Sequence, residues 1–334
     1  MNIRFLACIA FLYAFDLSAQ NVIPIGSLPT YYNGGFAGEA GAPRIVSYSY
    51  FNHRSVTAPV SPWTQATFLS ADHFFKKLST GMALMAEAWN GNGVSKSSSL
   101  QWAVSPKLSV KGKYTFAPFA ELRYARSHSR WPYDTTSIPV PANLPFESSG
   151  EDLTIKTGLL VNGSRWYAGI SMIVAEYFSK NHPPMAQWIT PQIMRYTFQA
   201  GYTFQRAPDS KFSFTPQVAL ALTRYDHDSS PNSPTHEKRN NINLLDLNLA
   251  FRYKEFVAGV GNNTGLMIGY QTGRLKLMIY NSYTRQFTPT KSYTILPHTS
   301  FEPRAFYASS IGYTGSVSIR YVFKKNESVK MPGF

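Results

Sequence analysis

From residue 45 to residue 323, apolar and polar side chains alternate with a period of two, which places one class on each face of a β-strand. In 243–254, Leu245, Leu247, Leu249, Phe251 and Tyr253 share one face, and Asp246, Asn248, Ala250, Arg252 and Lys254 the other. In 195–205, Tyr196, Phe198, Ala200, Tyr202 and Phe204 oppose Arg195, Thr197, Gln199, Gly201 and Gln205. Near the C-terminus, Tyr313, Val317, Ile319, Tyr321 and Phe323 oppose Thr314, Ser316, Ser318 and Arg320. Around 114–124, Tyr114, Phe116, Leu122 and Tyr124 oppose Thr115, Glu121 and Arg123. A helix, with its period of 3.6, would scatter each set over both faces.

The alternation predicts about fourteen strands, at 44–54, 63–74, 79–89, 98–108, 113–125, 152–161, 165–177, 194–206, 211–225, 242–254, 256–262, 264–272, 274–286 and 311–323. Most approach the ~9–11 residues that a tilted strand needs to cross the hydrocarbon. Every second connection is short, as at 75–78, 109–112, 162–164 and 207–210. The others are mostly long: 55–62, 90–97, 126–151, 178–193, 226–241 and 287–310. Short periplasmic turns alternating with long external loops are the geometry of an outer-membrane barrel. A soluble β-sandwich predicts no such alternation in loop length. The fold expected is therefore all-β, a transmembrane antiparallel outer-membrane β-barrel with both termini in the periplasm. Pro106, Pro118 and Pro216 fall in or near these strands, where each removes a ladder donor and marks a bulge or a strand end.

The first twenty residues change what counts as the folded chain. Arg4 precedes an apolar run, Phe5 to Phe15, and Leu17-Ser18-Ala19-Gln20 offers small residues for cleavage. This reads as a secretory signal peptide, too short to span a bilayer as a helix, which takes ~20 residues. The single cysteine, Cys8, lies within it, so the mature chain has no thiol for disulfides or catalysis. Residues 21–43 form a periplasmic N-terminal segment, 44–323 the barrel and 324–334 a periplasmic tail. For the N-terminal segment a lumen plug, a docking element and a disordered leader stay open.

Composition agrees. Aromatics make up 15% and charged residues only 15%, against about 25% charged in soluble domains. Mean hydropathy is −0.20 and no long apolar run occurs, because only alternate residues of a barrel face lipid. The net charge of +14 points to anionic lipid headgroups or an acidic partner rather than nucleic acid in an exported membrane chain.

A charge on the lipid face is costly, about 2–4 kcal/mol for Lys or Arg at the midplane. Glu87, Glu121, Arg123, Lys156, Arg195, Asp246, Arg252, Lys276 and Arg320 are therefore expected in the lumen. Either they pair with one another and fill it, or they line a pore that the basic excess biases towards anions.

Several segments resemble the PorP/SprF family of the type IX secretion system of Bacteroidetes. Tyr32-Asn33-Gly34-Gly35-Phe36-Ala37-Gly38 looks like the family's Asn-Pro-Ala-Tyr/Phe-Ala-Gly element before its first strand, with Gly34 in place of the usual Pro. Gly158-Leu159-Leu160 with Trp166-Tyr167-Ala168-Gly169-Ile170-Ser171 is similar to a family hairpin. So are Phe198-Gln199-Ala200-Gly201-Tyr202-Thr203-Phe204 with Phe214-Thr215-Pro216-Gln217, and the run Tyr253 to Val260, Leu266 to Tyr270 and Leu275 to Arg285. The tail Lys330-Met331-Pro332-Gly333-Phe334 also looks familial. The resemblance implies a non-enzymatic component of type IX secretion that supports secretion or surface attachment of cargo such as gliding adhesins. Its implied partners are secretion components or a secreted surface protein. The alternative is a general porin or small-solute transporter.

No nucleophile with an orienting base is visible and no Gly-x-Ser-x-Gly elbow occurs. The seven histidines show no metal-ligand spacing, and no catalytic, metal or cofactor site is expected. Long loops on a rigid scaffold are the candidates for recognition. The candidate partner-binding residues in them are Arg126, Arg130, Trp131, His227, Lys238, Arg239 and Lys291. Those near Arg126 suit lipopolysaccharide phosphate at the external rim.

Overall fold

The computed structural model describes residues 23–24, 26–55, 63–91, 95–130, 147–178, 192–207, 210–227, 237–262, 265–292 and 304–323. The expected signal peptide, Trp131 and the C-terminal tail lie outside the described residues.

Among the described residues, fifteen strands form one antiparallel sheet. They are β1 (Arg44–Ser55), β2 (Trp63–Phe75), β3 (Thr80–Gly91), β4 (Ser95–Pro106), β5 (Leu108–Val110), β6 (Tyr114–Arg130), β7 (Glu147–Asn162) and β8 (Trp166–Phe178). Then come β9 (Gln192–Tyr202), β10 (Phe212–His227), β11 (Glu237–Tyr253), β12 (Phe256–Gly261), β13 (Gly265–Gln271), β14 (Leu275–Ser292) and β15 (Arg304–Val322). Apart from β4 and β5, each pairs with its neighbours in sequence, and β1 pairs with β15 from Arg44↔Val322 to Ser55↔Ile311, so the sheet closes. β4 and β5 are two pieces of one stave: both pair with β6 in unbroken register, Val104↔Ala120 and then Leu108↔Phe116. The result is a closed barrel of fourteen staves, an architecture that satisfies every strand's backbone without an edge.

The interruption between β4 and β5 has a cause in the sequence. The register on either side sets Pro106 opposite Pro118, and neither residue has an N–H to donate. The Lys107 N–H turns instead to the Ser79 carbonyl at 2.7 Å. Pro216 likewise sits where the β9–β10 ladder lapses, between Gln217↔Gly201 and the isolated Phe204↔Phe214 bridge. There the Thr203 N–H bonds to the Arg165 carbonyl at 2.7 Å.

The two faces divide as the alternation requires. Ile268 is 67% exposed while its neighbour Met267 is 5% exposed. Leu69, Leu84, Trp102, Ile279 and Ile319 lie on the outer face, and Val46, Tyr48, Phe68, Met85 and Tyr280 pack inside. Phe204, Phe214 and Phe251 stack in a row on the outside, 5.8 and 4.8 Å apart. The core of the molecule is thus its lumen.

The strands run further outward than the alternation predicted. β6 continues to Arg130, β7 begins at Glu147, β10 and β11 reach His227 and Glu237, and β14 pairs with β15 through Ser292↔Arg304. Arg126, Arg130, His227, Lys238, Arg239 and Lys291 are therefore strand positions, not loop positions. Beyond the hydrocarbon neither face must be apolar, so the ladder continues where the pattern that reveals it fades.

Candidate functional site

Residues 26–43 fill the periplasmic half of the lumen. The segment is irregular: one helical turn at Pro29–Tyr32, then a 3-10 turn at Gly34–Phe36 capped by the Asn33 carboxamide, which accepts the Gly35 N–H at 2.8 Å. Leu28, Asn33, Phe36 and Ala37 are fully buried. Phe36 meets Tyr167 edge-on at 5.3 Å, and Tyr31 meets Phe68 at 5.6 Å. The Asn33–Gly38 element lies at the centre of this plug.

Irregular backbone in a closed space leaves carbonyls that need donors, and the barrel wall supplies cations. Lys156 Nζ donates to the Tyr31 carbonyl at 3.1 Å while pairing with Glu121 at 2.7 Å. Lys107 Nζ donates to the Gly35 carbonyl, and Arg44 Nη2 to the Phe36 carbonyl at 3.3 Å. Arg44 also pairs with Asp72 at 2.7 Å, with both side chains almost wholly buried. The other Asp72 oxygen accepts the Gly38 N–H at 2.9 Å. Ser171 donates to the Tyr32 carbonyl at 3.2 Å, and Asn162 Nδ2 to Glu39 Oε1 at 2.7 Å.

Two glycines allow the seat. Gly38 takes φ +72°, a left-handed conformation favouring glycine, and a Cβ on Gly81 would stand 1.9 Å from the Ala37 carbonyl oxygen. Burial pushes the Glu39 carboxyl up, against the pull of Lys107 and Arg44.

The nine charges expected inside all fall on inward strand positions. Glu121 and Lys156 serve the plug. Glu87 accepts from Arg123 at 3.2 Å and from Ser99 at 2.9 Å, and Asp246 accepts from Asn248 at 2.7 Å. Arg195 is exposed towards the outer end of β9. Lys276 stands directly opposite Arg320 across β14 and β15, near the periplasmic end, with Arg252 three strands away. These three cations make no hydrogen bond or ion pair with a described residue, and the Nε atoms of Arg252 and Arg320 are buried and unpartnered. Arg126 pairs loosely with Glu151 at 3.9 Å on the outer surface.

The residues that anchor the plug most tightly, Arg44, Asp72, Lys107 and Glu39, were not among those singled out from the sequence. The parity of Arg44 and Asp72 with the inward sets of their strands was the available signal.

The fold is similar to that of solved outer-membrane channels. A TodX monoaromatic hydrocarbon channel with a deltaS2 mutation superposes with a TM-score of 0.51 at 8% identity, over 88% of this chain and 94% of that one. The deltaS2S3 mutant of TodX gives 0.50 at 8% identity, over 92% and 96%. A Pseudomonas aeruginosa FadL homologue gives 0.48 at 11% identity, over 92% and 96%. At these identities the likeness is one of fold alone. No curated protein matches by sequence. The family model described as type IX secretion system membrane protein PorP/SprF matches residues 27–302, beginning within the plug and running through thirteen of the fourteen staves. This outer-membrane barrel belongs to the PorP/SprF family of type IX secretion system membrane proteins.

Proposed function

We propose that this chain is a plugged accessory of type IX secretion, a platform for protein partners rather than an open diffusion pore or an enzyme. Its partner is a secreted surface protein, such as a gliding adhesin, or the periplasmic part of the secretion machinery. The observation that carries the reading is the plug: residues 26–43 are tied to the wall by Arg44, Asp72, Lys107, Lys156, Asn162 and Ser171. A permeation pathway would leave that volume to water and solute. The outer rim of β4, β6 and β7, with Lys96, Arg126 and His128 facing outward, suits the phosphates of lipopolysaccharide.

Crosslinking in intact cells followed by mass spectrometry tests the reading. Secretion components or a secreted adhesin are expected among the adducts, and their absence would sink it. Planar-bilayer recording addresses the porin alternative, because the intact protein should show no steady large conductance. A large conductance already present in the intact protein and unchanged by deletion of residues 21–43 would mean that the plug seals nothing.

A further inference from the structure

The excess positive charge has a definite place in the fold. Each of the six described periplasmic turns carries a cation immediately beside an apolar or aromatic residue that ends a strand on the outer face. The pairs are Phe75-Lys76, Lys113-Tyr114, Arg165-Trp166, Lys211-Phe212, Tyr253-Lys254 and Arg274-Leu275. Lys77, Lys111 and Arg206 add to the same turns, and Glu255 is the one carboxylate among their described residues. Apart from Arg165, which is half-buried, these basic residues are exposed. Lys254 lies over the Tyr253 ring at 5.6 Å.

We propose that this crown binds the phosphates of anionic glycerophospholipids in the periplasmic leaflet, encircling the barrel with a selected lipid annulus. Three features choose lipid over a docked protein. The cations occupy every described turn round the circumference, as a surrounding leaflet does and a partner on one sector does not. Each is one residue beyond the apolar girdle. At a rise of ~3.3 Å per residue this sets the charge at headgroup level, where Lys and Arg snorkel. The turns themselves carry apolar side chains to the same depth: Leu78 is 64% exposed beside Lys77. Each added cation near an anionic surface strengthens attraction roughly fivefold, so six turns acting together discriminate strongly against zwitterionic lipid. The inference does not depend on the secretion role.

The test uses the full-length protein in nanodiscs of phosphatidylcholine with a minor fraction of phosphatidylglycerol. The ratio of the two lipids that stay bound on gentle extraction is read by native mass spectrometry. Several-fold enrichment of phosphatidylglycerol is expected, collapsing towards the bulk ratio at high salt. It should also collapse in a variant combining Lys76→Gln, Lys77→Gln, Lys113→Gln, Lys254→Gln and Arg274→Gln. Heat-modifiable migration on a gel checks that this variant is folded, and Arg126→Gln on the outer rim should leave the enrichment intact. A bound ratio equal to bulk in the wild type, or enrichment that persists in the folded variant, overturns the proposal. Loss in that variant of crosslinks to an acidic periplasmic protein, with no lipid enrichment in the wild type, would assign the crown to a protein instead.

Discussion

At the scale of single residues the plug depends on buried charges set against one another and against its backbone. Asp72 joins Arg44 to the Gly38 N–H, with no solvent to replace either contact. Removing one member of such a pair leaves the other charge buried and uncompensated, typically at a cost of about 3–5 kcal/mol. Asp72→Asn should therefore loosen residues 36–41 locally, seen as faster amide hydrogen exchange there, while the strands stay protected. Glu39 gives the seat a pH dependence. Burial holds its carboxyl above the ordinary value, up to about 7, so the seated plug binds this proton more tightly than a released one. Between the ordinary carboxylate range and about pH 7 the seated form loses protons as pH rises, and seating weakens with each step upward. Protease access to the plug, followed from pH 5 to pH 7.5, should increase across that window. Glu39→Gln should flatten the profile.

At the scale of elements, Gly81 on β3 separates the plug from the wall that holds it. A Cβ there would meet the Ala37 carbonyl oxygen at 1.9 Å, while the β2–β3 ladder gives no reason for a glycine. Gly81→Ala should displace the Asn33–Gly38 element and leave the barrel folded. A shift of intrinsic fluorescence or exchange in residues 33–38, with unchanged heat-modifiable migration, is the expected result. The staves themselves were legible from alternation because lipid outside and polar lumen inside impose opposite chemistry on successive residues. Within the hydrocarbon the expected boundaries on β2, β12 and β13 come within a residue of those observed. They fail at the outer ends of β7, β11, β14 and β15, where water bathes both faces and nothing enforces alternation. The proline puzzle was half legible: each proline signalled an interrupted ladder, but only the register reveals that Pro106 and Pro118 face each other. The plug was the least legible element. Its contacts join residues far apart in sequence, such as Lys156 with Tyr31, and no local periodicity announces them.

At the scale of the whole molecule, the inner charges divide into those the plug and wall satisfy and those they leave over. Arg44 with Asp72, Lys156 with Glu121 and Arg123 with Glu87 cancel in pairs. Lys276 and Arg320, opposed across β14 and β15, and Arg252 have no such partner among the described residues. While the plug is seated these cations lie behind it and select nothing. Removing residues 21–43 admits water to the same volume and exposes a surplus of positive charge at the periplasmic mouth. A ring of basic side chains favours anions in a pore, so the truncated barrel should conduct. In a potassium chloride gradient its reversal potential should lie on the chloride side. Neutralising the cluster, as Arg252→Gln with Lys276→Gln and Arg320→Gln, should move that potential towards zero without closing the pore. A truncated barrel that conducts but prefers cations would show that Glu87, Asp246 and the other lumenal carboxylates, rather than this cluster, set the field inside.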